Sequence, residues 1–177
     1  MNTVLREKKN RWRKKTLRVA CWNIMSWNTK SHEILLEIRE HKVDICALSE
    51  TKRKDKGTVK LPGYIFVYGG VDQCKRASAG VGILVAEKYE PFIDNIQYID
   101  ERILVLSLNS ECGKTHIISV YAPDSSRKKE ETDAFYERVE AEVRRIPSTE
   151  KVIILGDLNA RVGNNVLPGI MNRFNEE

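Results

Sequence analysis

An α+β sandwich is the fold class this sequence predicts, and three observations carry it. Short apolar, strand-like runs recur along the chain, several of them joined by turn-rich segments of hairpin length. Two segments of helical periodicity lie among those hairpin-linked strands, a mixture that suggests an α+β sandwich. With 177 residues, 41% of them hydrophobic and 31% charged, the chain is long enough for one domain with a sizeable core and short for two.

The elements follow in order. Leu17 to Ile24 alternates apolar and polar residues and reads as a strand. Ser31 is a plausible N-cap for a helix whose Ile34, Leu35 and Ile38 fall on one face. Val43 to Leu48 is the next strand, closing on Ser49 and Glu50, and a loop rich in Lys and Gly follows. Tyr64 to Tyr68 and Val81 to Ala86 read as neighbouring strands. Ile103 to Leu108 and His116 to Tyr121 form a hairpin across the turn Asn109 to Lys114. After Pro123, a charged helix is predicted over Lys128 to Ile146, with Phe135, Val139 and Val143 as its buried stripe at i, i+4 and i+8. Pro147 and Ser148 end it. Val152 to Leu155, four apolar residues running into Gly156, reads as a buried strand.

The net charge of +5 is unevenly placed. Residues 1–18 carry eight basic residues and one acid, which leaves −2 for the rest of the chain. Residues 1–16 are therefore read as a basic, disordered tail and 17–177 as the domain. Such a tail suits electrostatic contact with nucleic acid or nuclear import, and equally a solvated leader with no specific partner. Trp12 within it offers one ring for stacking on a base. No apolar run reaches the ~20 residues of a membrane span, and none follows the basic start as a secretory signal requires. The four cysteines, Cys21, Cys46, Cys74 and Cys112, contain no C-x-x-C pair, which argues against a zinc site. Cys21 and Cys46 lie in apolar runs and read as small hydrophobes. Reduced thiols place the chain in nucleus or cytoplasm, not outside the cell.

Several strands end in a polar residue: Asn23, Glu50, Tyr121, and Asp157 with Asn159. A carboxylate such as Glu50 suits magnesium, which takes one or two protein carboxylates and keeps several waters. Asp157 has the chemistry to orient or deprotonate a water for in-line attack at phosphorus. Asn23 and Asn159 can donate to phosphate oxygens without adding negative charge, and Tyr121 can donate its phenolic proton. Each also fits a plainer role: Asn23 and Asp157 in turns, Glu50 solvated, Tyr121 half-buried in packing. Arg102 at a strand start reads as a surface charge. His32, His41 and His116 show no ligand spacing.

Five segments, taken in order, resemble the endonuclease/exonuclease/phosphatase superfamily of DNase I-like fold. They are VACWNI at 19–24, ICALSET at 45–51, the Glu101–Arg102 strand start, ISVYAP at 118–123 and ILGDLNARVG at 154–163. Within it, the chain is most similar to endonuclease domains of RTE-type non-LTR retrotransposons and to host proteins of the craniofacial development protein 2 type. The resemblance implies a four-layered α/β sandwich with its active-site loops at one end. It implies Glu50 as magnesium ligand, with manganese the alternative ion, and Asn23 supporting metal and phosphate. Tyr121 and Arg102 would contact the substrate phosphate, and Asp157 with Asn159 would place the attacking water.

The family also closes its site with a C-terminal aspartate after an Arg-Ile pair and with a Ser-Asp-His ending, and neither is found after Gly163. Met25 stands where abasic-site enzymes often carry an acid, and a thioether is a poor magnesium ligand. The expectation is an N-terminal two-thirds of the domain, incomplete at its C-terminal end, with activity impaired or lost; a complete domain would be monomeric. Three functions follow. The first is magnesium-dependent hydrolysis of DNA phosphodiesters, as in abasic-site endonucleases. The second is a non-catalytic retroelement remnant or nucleic-acid-binding module. The third is a phosphatase of another phosphorylated substrate.

Overall fold

The computed structural model describes residues 16–160. The basic-tail reading, Trp12 and the residues after Ala160 lie outside them. Two mixed sheets form the centre. The first has the order β1-β2-β5-β4-β3, from Val19–Asn23, Ile45–Ser49, Val81–Ala86, Tyr64–Gly69 and Lys56–Leu61. The second has the order β6-β7-β8-β9, from Ile93–Asp100, Ile103–Ser110, Gly113–Tyr121 and Lys151–Asp157. β1 runs parallel to β2 and β9 parallel to β8; every other pair is antiparallel.

Helix α1, Ser31–Glu40, buries Ile34, Leu35 and Ile38 against the first sheet. Helix α2, Lys129–Arg144, sets Phe135 and Val139 against Ile103, Val105, Ile118 and Val120 on the outer face of the second. The inner faces meet around Leu48, Ile83, Leu104, Leu106 and Ile117, all fully buried. Helix, sheet, sheet, helix are the four layers that the family resemblance implies. No helix among the described residues is long and apolar enough to cross a membrane.

The differences from the sequence reading fall at sheet edges and element ends. The sequence pattern marks no strand at β3 or β6. β3 (KGTVKL) is a mostly exposed edge strand, and β6 (IDNIQYID) is an edge strand whose register shifts twice, which breaks the alternation that betrays a strand. Ser31 is the first helical residue and not the N-cap; Lys30 holds that place and makes no side-chain cap bond. The hairpin closes on Glu111 and Cys112, tighter than predicted, with Gly113 supplying a φ of +97°. Val152 to Leu155 does form a strand but not a buried one: Ile154 is 44% exposed. β9 is an edge, so its outer face reaches past the cover of α2. Cys21 is exposed for the same reason on the edge strand β1, whereas Cys46 one strand further in is buried.

Candidate active site

β1 and β9 are edge strands of opposite sheets that lie side by side, and their C-terminal ends carry Asn23 and Asp157. The neighbouring strands end alongside them, β2 just before Glu50 and β8 at Tyr121. Topology thus converges residues that are far apart in sequence. The Asn23 amide Nδ2 donates to Glu50 Oε1 at 3.0 Å and to Asp157 Oδ2 at 3.1 Å. The Tyr121 hydroxyl donates to the same Glu50 oxygen at 3.2 Å. Two carboxylates are therefore held together by one amide, and a phenol shares the Glu50 oxygen with it.

Local backbone geometry builds the corner. Glu50 and Lys52 both sit in the left-handed region, at φ +52° and +50°, so the chain turns sharply as it leaves β2. Gly156 has φ +141°, and a Cβ there would lie 1.9 Å from the Val120 carbonyl oxygen. No other residue lets β9 approach β8 so closely just before Asp157 turns into the cleft. Asn159, at φ +45°, donates its backbone N–H to Asp157 Oδ1 at 3.0 Å and its side-chain amide to the Ala122 carbonyl at 2.8 Å. It thereby ties the loop after β9 to the end of β8 and fixes the Asp157 carboxylate.

Electrostatics decide what these groups can do. Tyr121 is buried beside a carboxylate, and burial first, then the charge of Glu50, hold its phenol above the usual tyrosine range. It is a proton donor throughout neutral pH. Arg102 is not the isolated surface charge expected from its place in the chain. It donates to the carbonyls of Tyr121 and Ala122 at 3.1 and 3.3 Å and lies over the Tyr121 ring at 5.0 Å, bracing the end of β8. Lys52, which sequence reasoning did not single out, stands 3.7 Å from Glu50 Oε2. Asp124 was also missed; it lines the cleft, and its place just after ISVYAP was the available signal. The cleft, about 770 Å³ and open to solvent, is lined by Trp22, Asn23, Asp124, Asp157 and Asn159.

Among the described residues no three His, Cys, Asp or Glu side chains converge on a metal position. The donor set is the carboxylate oxygens of Glu50 and Asp157 and the amide oxygen of Asn23, all hard oxygen ligands; the Asn23 amide nitrogen only donates hydrogen bonds to the two carboxylates. That set fits magnesium or manganese, which need only one or two protein carboxylates and complete their shell with water and phosphate. It does not fit zinc.

Residues 20–176 match the Endonuclease/Exonuclease/phosphatase family. The chain belongs to that family. Craniofacial development protein 2 of Bos taurus is 27% identical over 169 residues, which is 95% of this chain and 28% of that protein. An AP endonuclease from Archaeoglobus fulgidus superposes with a TM-score of 0.63 at 20% identity, over 82% of this chain and 58% of that one. The endonuclease domain of TRAS1, a telomere-specific non-LTR retrotransposon, gives 0.60 at 19% identity, over 82% and 62%. The fold is therefore the DNase I-like sandwich, and the chain spans little more than a quarter of the length of the curated relative and under two thirds of these two structures.

Proposed function

We propose that this chain supplies the metal- and water-handling part of a DNA phosphodiester hydrolase. One observation carries the reading: Asn23 and Asp157 line an open cleft, and the Asn23 amide joins Asp157 to Glu50, which also accepts from the Tyr121 hydroxyl. An isolated structural amide has no need to hold two acids together. The AP endonuclease and retrotransposon endonuclease likenesses support nucleic acid as the substrate, and the GDLNARVG segment favours DNA.

Glu50, with Asn23, would hold a magnesium or manganese ion, which supplies charge neutralisation at the phosphate. The remaining roles belong to the chain itself. Asp157, fixed by Asn23 and Asn159, accepts a hydrogen bond from the attacking water and aligns it with the phosphorus. Tyr121, kept protonated by burial, donates to an oxygen whose charge grows in the transition state. Arg102 keeps that phenol in place by gripping its carbonyl and covering its ring.

The test is nicking of supercoiled and abasic-site DNA by the purified chain with magnesium. Asp157→Ala is expected to lower the rate by about 10²–10³-fold, the usual effect of deleting one group aimed at the reacting centre. Equal nicking by wild type and variant would remove catalysis from this chain and favour a binding role. Phosphate release from DNA 3′ ends without nicking would move the reading to a phosphatase.

A further inference from the structure

Helix α2 covers the second sheet only in part. Its Phe135 and Val139 sit on β7 and β8, and the outer face of the edge strand β9 is left half covered. Between α2 and β9 runs a groove of about 610 Å³, lined by the apolar Val139, Val143, Tyr136 and Ile154. At one end the Tyr136 hydroxyl donates to the Leu158 carbonyl at 2.9 Å, which closes the groove toward the cleft. The other end lies at Val143, next to the turn that leads from α2 into β9. Ile154 and Tyr136 are 44% and 38% exposed, so the floor of the groove is apolar surface left in water.

The rim is acidic. Asp133, Glu137 and Glu140 follow one another along α2 at i, i+4 and i+7 and border the groove. Glu140 is held by Arg144 at 2.7 Å, whereas Asp133 and Glu137 have no cation partner among the described residues. An apolar side chain flanked by positive charge is the complement of such a groove. The chain itself contains that combination. Residues 1–15 precede the described residues and hold seven basic residues against Glu7, and Trp12 stands between Arg11 and Arg13. They also start within reach. β1 and β9 lie side by side and both end at the cleft, so the chain enters β1 at the far end of the sheets, level with the start of β9. Trp12 is four residues before Thr16, about 13 Å of extended chain, and packed sheets are only about 10 Å apart.

We propose that the groove between α2 and β9 is the docking site of the chain's own basic segment 1–15, with the Trp12 ring on the apolar floor and Arg11 and Arg13 facing Asp133 and Glu137. Exposed ion pairs are weak one by one, but a tether this short presents the segment at an effective concentration on the order of millimolar. Cations held on the groove are withheld from any polyanion, so the groove competes with nucleic acid for the segment.

The experiment reads acrylamide quenching of Trp12 in the full chain, taken as the difference between each protein and its Trp12→Phe counterpart. A synthetic peptide of residues 1–16 gives the unprotected value. At low salt Trp12 in the wild type is expected to be quenched several-fold less than in the peptide, and to approach the peptide value as salt screens the pairs. Asp133→Lys/Glu137→Lys reverses two exposed charges on which no other described residue depends, and Trp12 should become as accessible as in the peptide. Arg11→Glu/Arg13→Glu should do the same from the other side. All four substitutions together restore the ion pairs with their signs exchanged, and the protection should return. Wild-type quenching equal to that of the peptide would overturn the proposal. Protection that persists in both charge-reversed pairs, or that the fourfold variant fails to regain, would overturn it too, by placing Trp12 elsewhere. Protection lost on dilution would assign the groove to the segment of a second copy and overturn docking within one chain.

Discussion

β8 and β9 carry a polar cluster at each end, and the two clusters are built differently. At their start, Ser107 Oγ meets His116 Nδ1 at 2.9 Å and Glu150 Oε2 meets Nε2 at 2.6 Å. Both ring nitrogens are used, the imidazole is 13% exposed, and no backbone in the cluster leaves the ordinary regions. At their finish, Glu50 and Asp157 share the Asn23 amide, and among the described residues Glu50 Oε2 has only Lys52, at 3.7 Å. Ionised carboxylates have room for about four acceptor contacts each, so these two retain capacity, and Asp157 lines the open cleft. Glu50, Lys52, Gly156 and Asn159 there all adopt positive φ. A satisfied cluster on relaxed backbone holds a structure together; acceptors with capacity to spare, on strained backbone, mark a place where something binds.

The sharpest way to break this contrast is Glu50→Gln. It keeps the size of the side chain and can still accept from Asn23, but it removes the charge that would hold the divalent ion of the proposed reaction. DNA nicking is expected to fall about 10²–10³-fold. Thermal unfolding should move little, because no buried group loses its partner. A variant that melts well below wild type would show the site end to be as structural as the other.

Tyr121→Phe is the next largest. Loss of one donor is expected to lower the rate about 10-fold, less than an oxyanion-hole deletion because Glu50 already takes the hydrogen bond in the resting state. The pH dependence gives a second readout. Burial and the Glu50 charge raise the phenol above its ordinary value of 10.0, so wild type keeps this contribution through neutral pH and loses it only as pH rises past that value. Tyr121→Phe has nothing there to titrate, and its rate should lack that alkaline limb.

How much of this was legible in the sequence follows the same division between centre and edge. The central strands β2, β4, β5, β7 and β8 are apolar and nearly continuous, and periodicity alone places them. β3 and β6 are edges with half their residues in solvent, and a run such as KGTVKL has no pattern to read. At the site, Asn23, Glu50, Tyr121, Asp157 and Asn159 were each recognisable as a polar residue closing a strand. What the sequence does not carry is the Asn23 bridge, because it spans 134 positions and depends on two edges meeting. Nor does it show Arg102 bracing Tyr121, since a cation donating to carbonyls leaves no charge pattern behind.

The smallest effect is expected at the closed end, and it tests whether the two ends are independent. Glu150→Gln keeps an acceptor for His116 but removes the charge assistance. Both side chains are partly solvated, at 13% and 24% exposure, so the cost should be about 1 kcal/mol, read from chemical denaturation. Glu150 immediately precedes β9, and its grip on His116 fixes where that strand starts against β8. Seven residues later the same strand delivers Asp157. If the strand transmits no strain along its length, nicking by Glu150→Gln should equal wild type under conditions where both are folded. A fall in rate at equal folded fraction would mean that the anchored start of β9 sets the aim of its catalytic end, and the clusters would then be two parts of one device.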